Sequence, residues 1–352
     1  MALTIRDVAR EANVSTATVS HALNRTGQVS RATRRQVLSV VRRLGYFPNA
    51  HARNLAWRNS RTLGMIVSDI ENPFFPEVIK SFETRARQLG YEVILSDTNY
   101  DPGLMRRATE KMLEHHVRGV AVMTSEANLQ LIEEIARRRI AVTFLDLGPV
   151  QRYVSNLRVD YFSGIQQVVS HLFDLGHRRM VFAGERPGLK SNIARREAFI
   201  ECMKARGLDP GPTVQGDLRF EGGVAAGLAI LELKPLPTAV VAVNDLTAVG
   251  LIKAFTQAGL RVPEEISVTG FDKTHLADYS TPSITTVDIH RDWLGRMAAD
   301  ALHELSTASE PQGKEYTIPA ELVVKASTGP ALSRPSGETS PDPVAAELRL
   351  GT

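Results

Sequence analysis

Two periodicities divide this chain. Beyond residue 62, short apolar runs at 63–67, 92–95, 119–123, 141–145, 179–183, 239–243 and 266–270 alternate with longer stretches, such as 75–89 and 105–116, whose apolar residues return every three or four positions. Short runs without polar alternation predict strands buried on both faces, and the 3.6-residue period between them predicts helices that cover them. Strand and helix in alternation predict parallel α/β sheets. The pattern occurs in two similar halves, about 63–160 and 161–288, which predicts two doubly wound lobes. Crossings near 289–292 and 317–320 would complete a three-strand hinge between them. Ligands of such sheets bind at the carboxyl ends of the strands, here a cleft between the lobes.

The first sixty residues show only the helical period. Thr4 and Asp7 have capping-box spacing, and Ile5, Val8, Ala9 and Ala12 share one face of a helix over 5–12. Asn13-Val14 breaks it, and Ser15 is a suitable N-cap for a second helix over 16–23. Two short helices joined by a tight turn make a helix-turn-helix, with Val14, Val19 and Leu23 filling the wedge beside the small Ala9. A third helix begins near Ser30, runs through Val37, Leu38 and Val41, and stops at Gly45. With Val19 and Leu23 inward, Thr16, Ala17, Ser20 and His21 face outward. Short polar side chains at a helix N-terminus suit close approach to base edges and phosphates; on an arbitrary amphipathic helix they would only be solvated.

Charge sharpens this picture. Net charge is +3, yet residues 1–62 hold eleven Arg and no Lys against only Asp7 and Glu11. The remainder has more acidic than basic residues. A basic head on a mildly acidic body is a footprint of polyanion binding. Charge alone leaves duplex DNA, RNA, an anionic lipid surface and a merely solvated face as readings.

Other chemistry is excluded. The single cysteine, Cys202, rules out an intramolecular disulfide and a multi-cysteine zinc site. The charged opening MALTIRDVAREA is not a signal peptide, and no apolar run is long enough to span a membrane, so the expected compartment is the cytoplasm. The segment 184–191, Gly-Glu-Arg-Pro-Gly-Leu-Lys-Ser, misses the phosphate-loop spacing and reads as a strand-to-helix loop at the cleft. His115-His116 has no metal spacing, and there is no nucleophile elbow. No enzyme, metal or cofactor is expected.

The motif Thr4-Ile5-x-Asp7-Val8-Ala9 … Ala12-x-Val14-Ser15-x-x-Thr18-Val19-Ser20-x-x-Leu23-Asn24 resembles the signature of the LacI/GalR family of bacterial transcription regulators. The resemblance continues through Tyr46-Phe47-Pro48-Asn49-Ala50-His51-Ala52-Arg53-Asn54-Leu55, similar to that family's hinge. It extends to Asn72-Pro73-Phe74-Phe75, Gly90-Tyr91-Glu92-Val93, Asn244-Asp245, Gly270-Phe271-Asp272 and the segment 282–287, similar to its periplasmic-binding-protein-like sensor. The resemblance implies DNA contacts from Thr4, Ser15, Thr16, Ala17, Thr18, Ser20, His21 and Asn24, with base reading on Thr16, Ala17 and His21. It also implies a hinge helix that folds against DNA and a partner copy, in which Asn49, Ala52 and Arg53 make contacts and Leu55 wedges between base pairs. In the sensor it implies effector contacts from Asn72, Phe74, Phe75, Asp146, Arg195, Asn244 and Asp272. Leu147, Leu218 and Ile289 stand where sugar-binding relatives carry more polar or aromatic residues, so the cleft is expected to be comparatively apolar, with a sugar or related metabolite as effector.

The expected protein is α/β in class: an all-α helix-turn-helix domain (1–47), a hinge helix and linker (48–62), and a two-lobed sensor with doubly wound parallel sheets (63–330). Lobe 1 would take 63–160 and 291–317, and lobe 2 would take 161–290 and 318–330. Residues 331–352, broken up by proline and glycine, read as a disordered tail. Some relatives tetramerise through a C-terminal leucine heptad; none is present here, which implies a homodimer. The expected function is repression at a near-palindromic double-stranded operator, controlled by a small molecule. The rival is a ligand-binding or transport module with an incidental basic head, and an enzyme ranks third.

Overall fold

The computed structural model describes residues 3–24, 27, 29–46, 60–124, 129–146 and 148–332. It divides into two compact units, Met1–Ser60 and Arg61–Thr352. The expectations for Asn49, Ala52, Arg53, Leu55, Leu147, the side chain of Asn24 and the tail from 333 onward lie outside the described residues.

The first unit holds three helices. In α1 (Ile5–Glu11) the Thr4 backbone N–H and hydroxyl both donate to the Asp7 carboxylate, at 3.0 and 2.7 Å. Asn13, at φ 48, turns the chain into α2 (Thr16–Asn24), where Ser15 Oγ accepts the Thr18 N–H at 3.0 Å. Ser30 caps α3 (Arg31–Leu44) by accepting the Thr33 N–H at 3.1 Å. Gly45, at φ 62, closes it: Gly45 N–H donates to the Arg42 carbonyl and Tyr46 N–H to that of Val41. This paired terminus needs a left-handed residue, which glycine supplies without strain.

Val8, Ala9, Ala12, Val19, Ala22, Val37 and Val40 are buried together, ringed by half-buried Ile5, Val14, Leu23 and Val41. Gln36 Nε2 donates to the Ala12 carbonyl at 3.0 Å and ties α3 to the end of α1. One expectation is corrected. Leu38 is exposed at 37% and Val40 takes the core position, because 37, 40 and 41 keep the three-and-four spacing of one helical face and 38 does not.

The second unit is built from β1 (Thr62–Val67), α4 (Phe74–Gln88), β2 (Glu92–Asp97), α5 (Pro102–Glu114), β3 (Gly119–Met123), α6 (Leu129–Arg137), β4 (Ala141–Leu145) and β5 (Val154–Val159). There follow α7 (Tyr161–Asp174), β6 (Met180–Glu185), α8 (Lys190–Lys204), β7 (Thr213–Gln215), α9 (Phe220–Leu231), β8 (Ala239–Ala242), α10 (Asp245–Gln257), β9 (Ser267–Thr269) and α11 (His275–Tyr279). The last elements are β10 (Thr286–Asp288), α12 (Arg291–Thr307), β11 (Glu315–Ile318) and β12 (Glu321–Val323). The first lobe is a parallel six-stranded sheet, ordered β11-β5-β4-β3-β1-β2. The second is a parallel four-stranded sheet, β7-β6-β8-β9, beside an antiparallel β10-β12 ribbon.

The continuous apolar runs are explained by burial on both faces. Leu63, Met65 and Val67 of β1 enter one core while Ile66 enters another; Met180 and Phe182 of β6 part in the same way from Val181 and Ala183. The chain passes between lobes after β5, after β10 and after β11. β5 was not among the expected strands because Ser155, Asn156 and Arg158 interrupt its apolar character. Ser155 Oγ accepts the Lys314 N–H, and Asn156 and Arg158 bond Glu315 of the neighbouring β11, so these polar groups are paired. β7 was missed for its shortness. Among the described residues no helix is long and apolar enough to cross a membrane, and no His, Cys, Asp or Glu cluster could hold a metal ion.

Candidate functional site

In the first unit, the Ser15 cap starts α2 where the chain turns outward. Val19 and Ala22 point into the core, so the opposite face carries exposed Thr16, Ala17 and His21, with Ser20 and Thr18 half-buried beside it. Ala17 and His21 lie four residues apart and therefore on one stripe. Thr4 and Ser15 are exposed at the starts of α1 and α2. Both acidic residues of the unit are engaged, Asp7 with Arg10 and Glu11 with Arg43, each at 2.6 Å. The described surplus of positive charge, from Arg6, Arg31, Arg34, Arg35 and Arg42, thus has no carboxylate partner within the unit.

In the second unit, the carboxyl ends of the strands meet in a cavity of about 60 Å³ between the lobes. Asn72, Phe74, Phe75, Asp146, Arg195, Asn244 and Asp272 all line it. Topology does most of this: six of the seven follow a strand of a parallel sheet or start the helix after it, and Arg195 reaches in from the second turn of α8. Tyr100, Met123, Leu145, Tyr161, Leu189, Asn192, Leu218 and Ile289 complete much of the wall. The apolar share of that wall agrees with the departures at 218 and 289.

The polar groups are tightly arranged. Arg195 donates from Nε to the Ser191 carbonyl at 3.1 Å and from Nη1 to that of Val243 at 2.5 Å. Its guanidinium lies 5.1 Å from the Tyr161 ring centroid and 4.8 Å from that of Phe271. Asp146 accepts the Val159 N–H at 2.9 Å and the Tyr161 hydroxyl at 2.8 Å. Burial pushes its carboxyl up to about 6, against those bonds and the Arg195 charge. The Asn244 amide is committed to the protein: Oδ1 accepts the Thr247 N–H and Nδ2 donates to the Leu218 carbonyl. Asn244 therefore caps α10 and holds the Leu218 turn.

Asp272 is the most perturbed carboxyl of the cleft. Burial, then the Asp245 charge, push its carboxyl up to about 7 while Arg195 and Arg291 hold it down. Asp245 behind it is fully buried and accepts from Thr274 and Thr286. Asp146, Leu218, Asp272 and the hinge residue His290 all have left-handed backbones, at φ 56, 71, 98 and 49. Such conformations cost free energy in non-glycine residues and concentrate at ligand clamps and moving joints.

Sequence reasoning missed the contacts that hold the lobes together. Arg219 of lobe 2 donates from Nη2 to Asp69 at 3.0 Å and to Asn99 at 2.7 Å, both in lobe 1. Arg186 of lobe 2 lies 4.6 Å from the ring centroid of Tyr100. Buried Arg291 joins Glu77 of α4 to the Asp272 carbonyl. No motif marks these residues; only the closed geometry does. Asn192 and Tyr161 were missed too, one just past the 184–191 segment in the first turn of α8 and the other in the first turn after β5.

Comparison with known proteins agrees with both halves. A family model described as bacterial regulatory proteins, lacI family, matches residues 4–49, and a periplasmic binding protein-like domain matches residues 169–328. The HTH-type transcriptional repressor PurR of Photobacterium profundum is 33% identical over 327 residues, covering 92% of this chain and 98% of that protein. PurR of Pasteurella multocida is 32% identical over 328 residues, with the same coverage. Among solved structures, the lac repressor dimer bound to operator and the anti-inducer ONPF superposes with a TM-score of 0.82 at 26% identity, over 94% of this chain and all of that one. A complex of the transcriptional regulator CelR with cellobiose, 24% identical with a TM-score of 0.69, shares the fold over 92% of this chain and 99% of that one. This chain belongs to the LacI family of bacterial regulatory proteins, as a DNA-binding transcription regulator with an effector-binding sensor and not as an enzyme.

Proposed function

We propose that the protein is a cytoplasmic homodimeric repressor, which reads a near-palindromic operator through α2 and releases or engages it when a small molecule binds between the lobes. Thr16, Ala17 and His21 are the base-reading residues of this proposal; Thr4, Ser15, Thr18, Ser20 and Asn24 support them on phosphates. The hinge residues Asn49, Ala52, Arg53 and Leu55 act at the centre of the operator. The lac repressor relative is a dimer on its operator, which supports the same assembly here.

The observation that carries the effector reading is the convergence of Asn72, Phe74, Phe75, Asp146, Arg195, Asn244 and Asp272 on one interlobe cavity. Carboxylate, amide, guanidinium and aromatic groups together favour a compact ligand with both hydrogen-bonding groups and an apolar face, such as a sugar or related metabolite. A ligand that binds two lobe spacings with different affinity shifts the equilibrium between them. At about 60 Å³ the cavity is smaller than a sugar, so admitting one requires the lobes to part further than they do here. The test is a mobility-shift assay of the full chain against a pool of palindromic duplexes at two salt concentrations. Selection of one sequence, with binding that falls steeply as salt rises, is the expected result. Equal binding to every duplex would refute the function.

A further inference from the structure

The lobe 2 wall of the cleft carries an unmatched acceptor. Asn192, in the first turn of α8, is 0% exposed and lines the cavity. Its Nδ2 donates to the Arg186 carbonyl at 3.4 Å, while Oδ1 accepts no hydrogen bond among the described residues. The surroundings fix that orientation, because the flipped amide would set oxygen against the Arg186 carbonyl oxygen. The Asp272 carboxyl on the same wall also receives no hydrogen bond among the described residues; its neighbours act on it only through charge.

The nearby donors, Arg195 Nη2 excepted, are committed elsewhere. Arg195 directs Nε and Nη1 to backbone carbonyls, Asn244 Nδ2 bonds Leu218, and the Tyr161 hydroxyl bonds Asp146. From lobe 1 the polarity is opposite: Asn72 Oδ1 already accepts the Phe74 N–H, which leaves Nδ2 as the group a ligand can use. A buried carbonyl oxygen without a donor destabilises the fold, so its retention at a ligand cavity points to a donor supplied from outside.

We propose that Asn192 is a specificity-determining effector contact, and that the effector presents N–H or O–H donors to lobe 2, being uncharged or cationic at that end. A carboxylate or phosphate there would place anionic oxygens against Asn192 Oδ1 and the Asp272 carboxyl. The effector class is thus a neutral donor-rich molecule, such as a free sugar, a polyol or a nucleobase, with its acceptors toward Asn72. This inference rests on the cleft being the effector site and deepens that reading.

The test is thermal unfolding of the full chain. Without any added compound, Asn192→Leu removes the orphaned acceptor at nearly constant volume, and Tm rises by about 2 °C; a fall of that size would show the amide to be structural and overturn the proposal. The second arm uses matched probes: ribose with ribose 5-phosphate, glucose with gluconate, and hypoxanthine with inosine 5′-monophosphate. At least one uncharged member raises the wild-type Tm and no anionic member does, and Asn192→Leu weakens the apparent affinity about tenfold or more. An anion whose effect depends on Asn192, an equal response in both proteins, or no response to any probe overturns the donor assignment. A shift that also survives Phe74→Ala and Asp146→Asn places the ligand outside the cleft, and refutes the cleft reading itself.

Discussion

Arg219→Ala isolates the contact that closes the mouth of the cleft. Arg219 bonds Asp69 and Asn99 across the lobes, and the Asp69 side chain is 4% exposed while that of Arg219 is 38% exposed. A charge-assisted hydrogen bond contributes about 1.5–3 kcal/mol when shielded, but an exposed ion pair only about 0.2–1 kcal/mol. With one partner shielded and the other wet, about 1 kcal/mol is the reasonable figure, roughly a fivefold change in the ratio of closed to open lobes. The Arg186–Tyr100 contact remains in the variant and adds a smaller bias toward closure.

Paired spin labels measure this directly. Cys202 is the only cysteine, is buried, and has its thiol pushed up by that burial, so cysteines introduced at exposed Arg107 and Gln257 take the labels selectively. The long-distance fraction should grow about fivefold in Arg219→Ala, and high salt should move the wild type the same way. The charge exchange Asp69→Arg with Arg219→Asp should restore much of the short-distance population. An unchanged distance distribution in Arg219→Ala would refute the latch.

Other consequences are as direct. The folded Asp272 carboxyl titrates near 7, with Asp146 and Asp245 near 6, all above the ordinary carboxylate value. Between about pH 4 and 7 the unfolded chain therefore binds fewer protons than the folded one, and stability falls as pH rises through that window; Asp272→Asn should flatten the fall in Tm between pH 5 and 7.5, and an unchanged slope would contradict the burial argument. Arg195→Ala, which leaves the Tyr161 and Phe271 faces and two carbonyls unmatched, should cost about 3 kcal/mol and remove the effector response while operator binding persists. A normal dose response in that variant would rule out its role. Thr16→Ala and His21→Ala, both on exposed positions, should leave Tm nearly unchanged yet reduce the preference for operator over random duplex, as measured by competition mobility shift.

Much of this architecture was legible in the chain because burial on both faces writes itself as uninterrupted apolar runs, as at β1, β3 and β4. The helix-turn-helix was legible from its punctuation: Thr4, Ser15, Ser30 and Gly45 each act at the helix ends where they were expected. What failed was partnership. The polar residues of β5 look like loop residues until β11, more than 150 residues later in the chain, supplies Glu315. The seven cleft residues came from the family resemblance, and the convergence of strand ends in a doubly wound sheet explains why the fold brings them together. Their commitments were not legible: nothing local says that both ends of the Asn244 amide are occupied, that one end of Asn192 is bare, or that Arg219 reaches Asp69.

The repeated passage of the chain between lobes also sets an order of assembly. Lobe 1 needs α12 and β11, and lobe 2 needs β12, so neither sensor lobe can close until the chain beyond residue 315 has left the ribosome. The helical head, with its own core, asks for nothing beyond its first few dozen residues. The head can thus fold before the sensor that governs it is complete, and a chain cut short anywhere before residue 315 carries a folded head without a closed sensor.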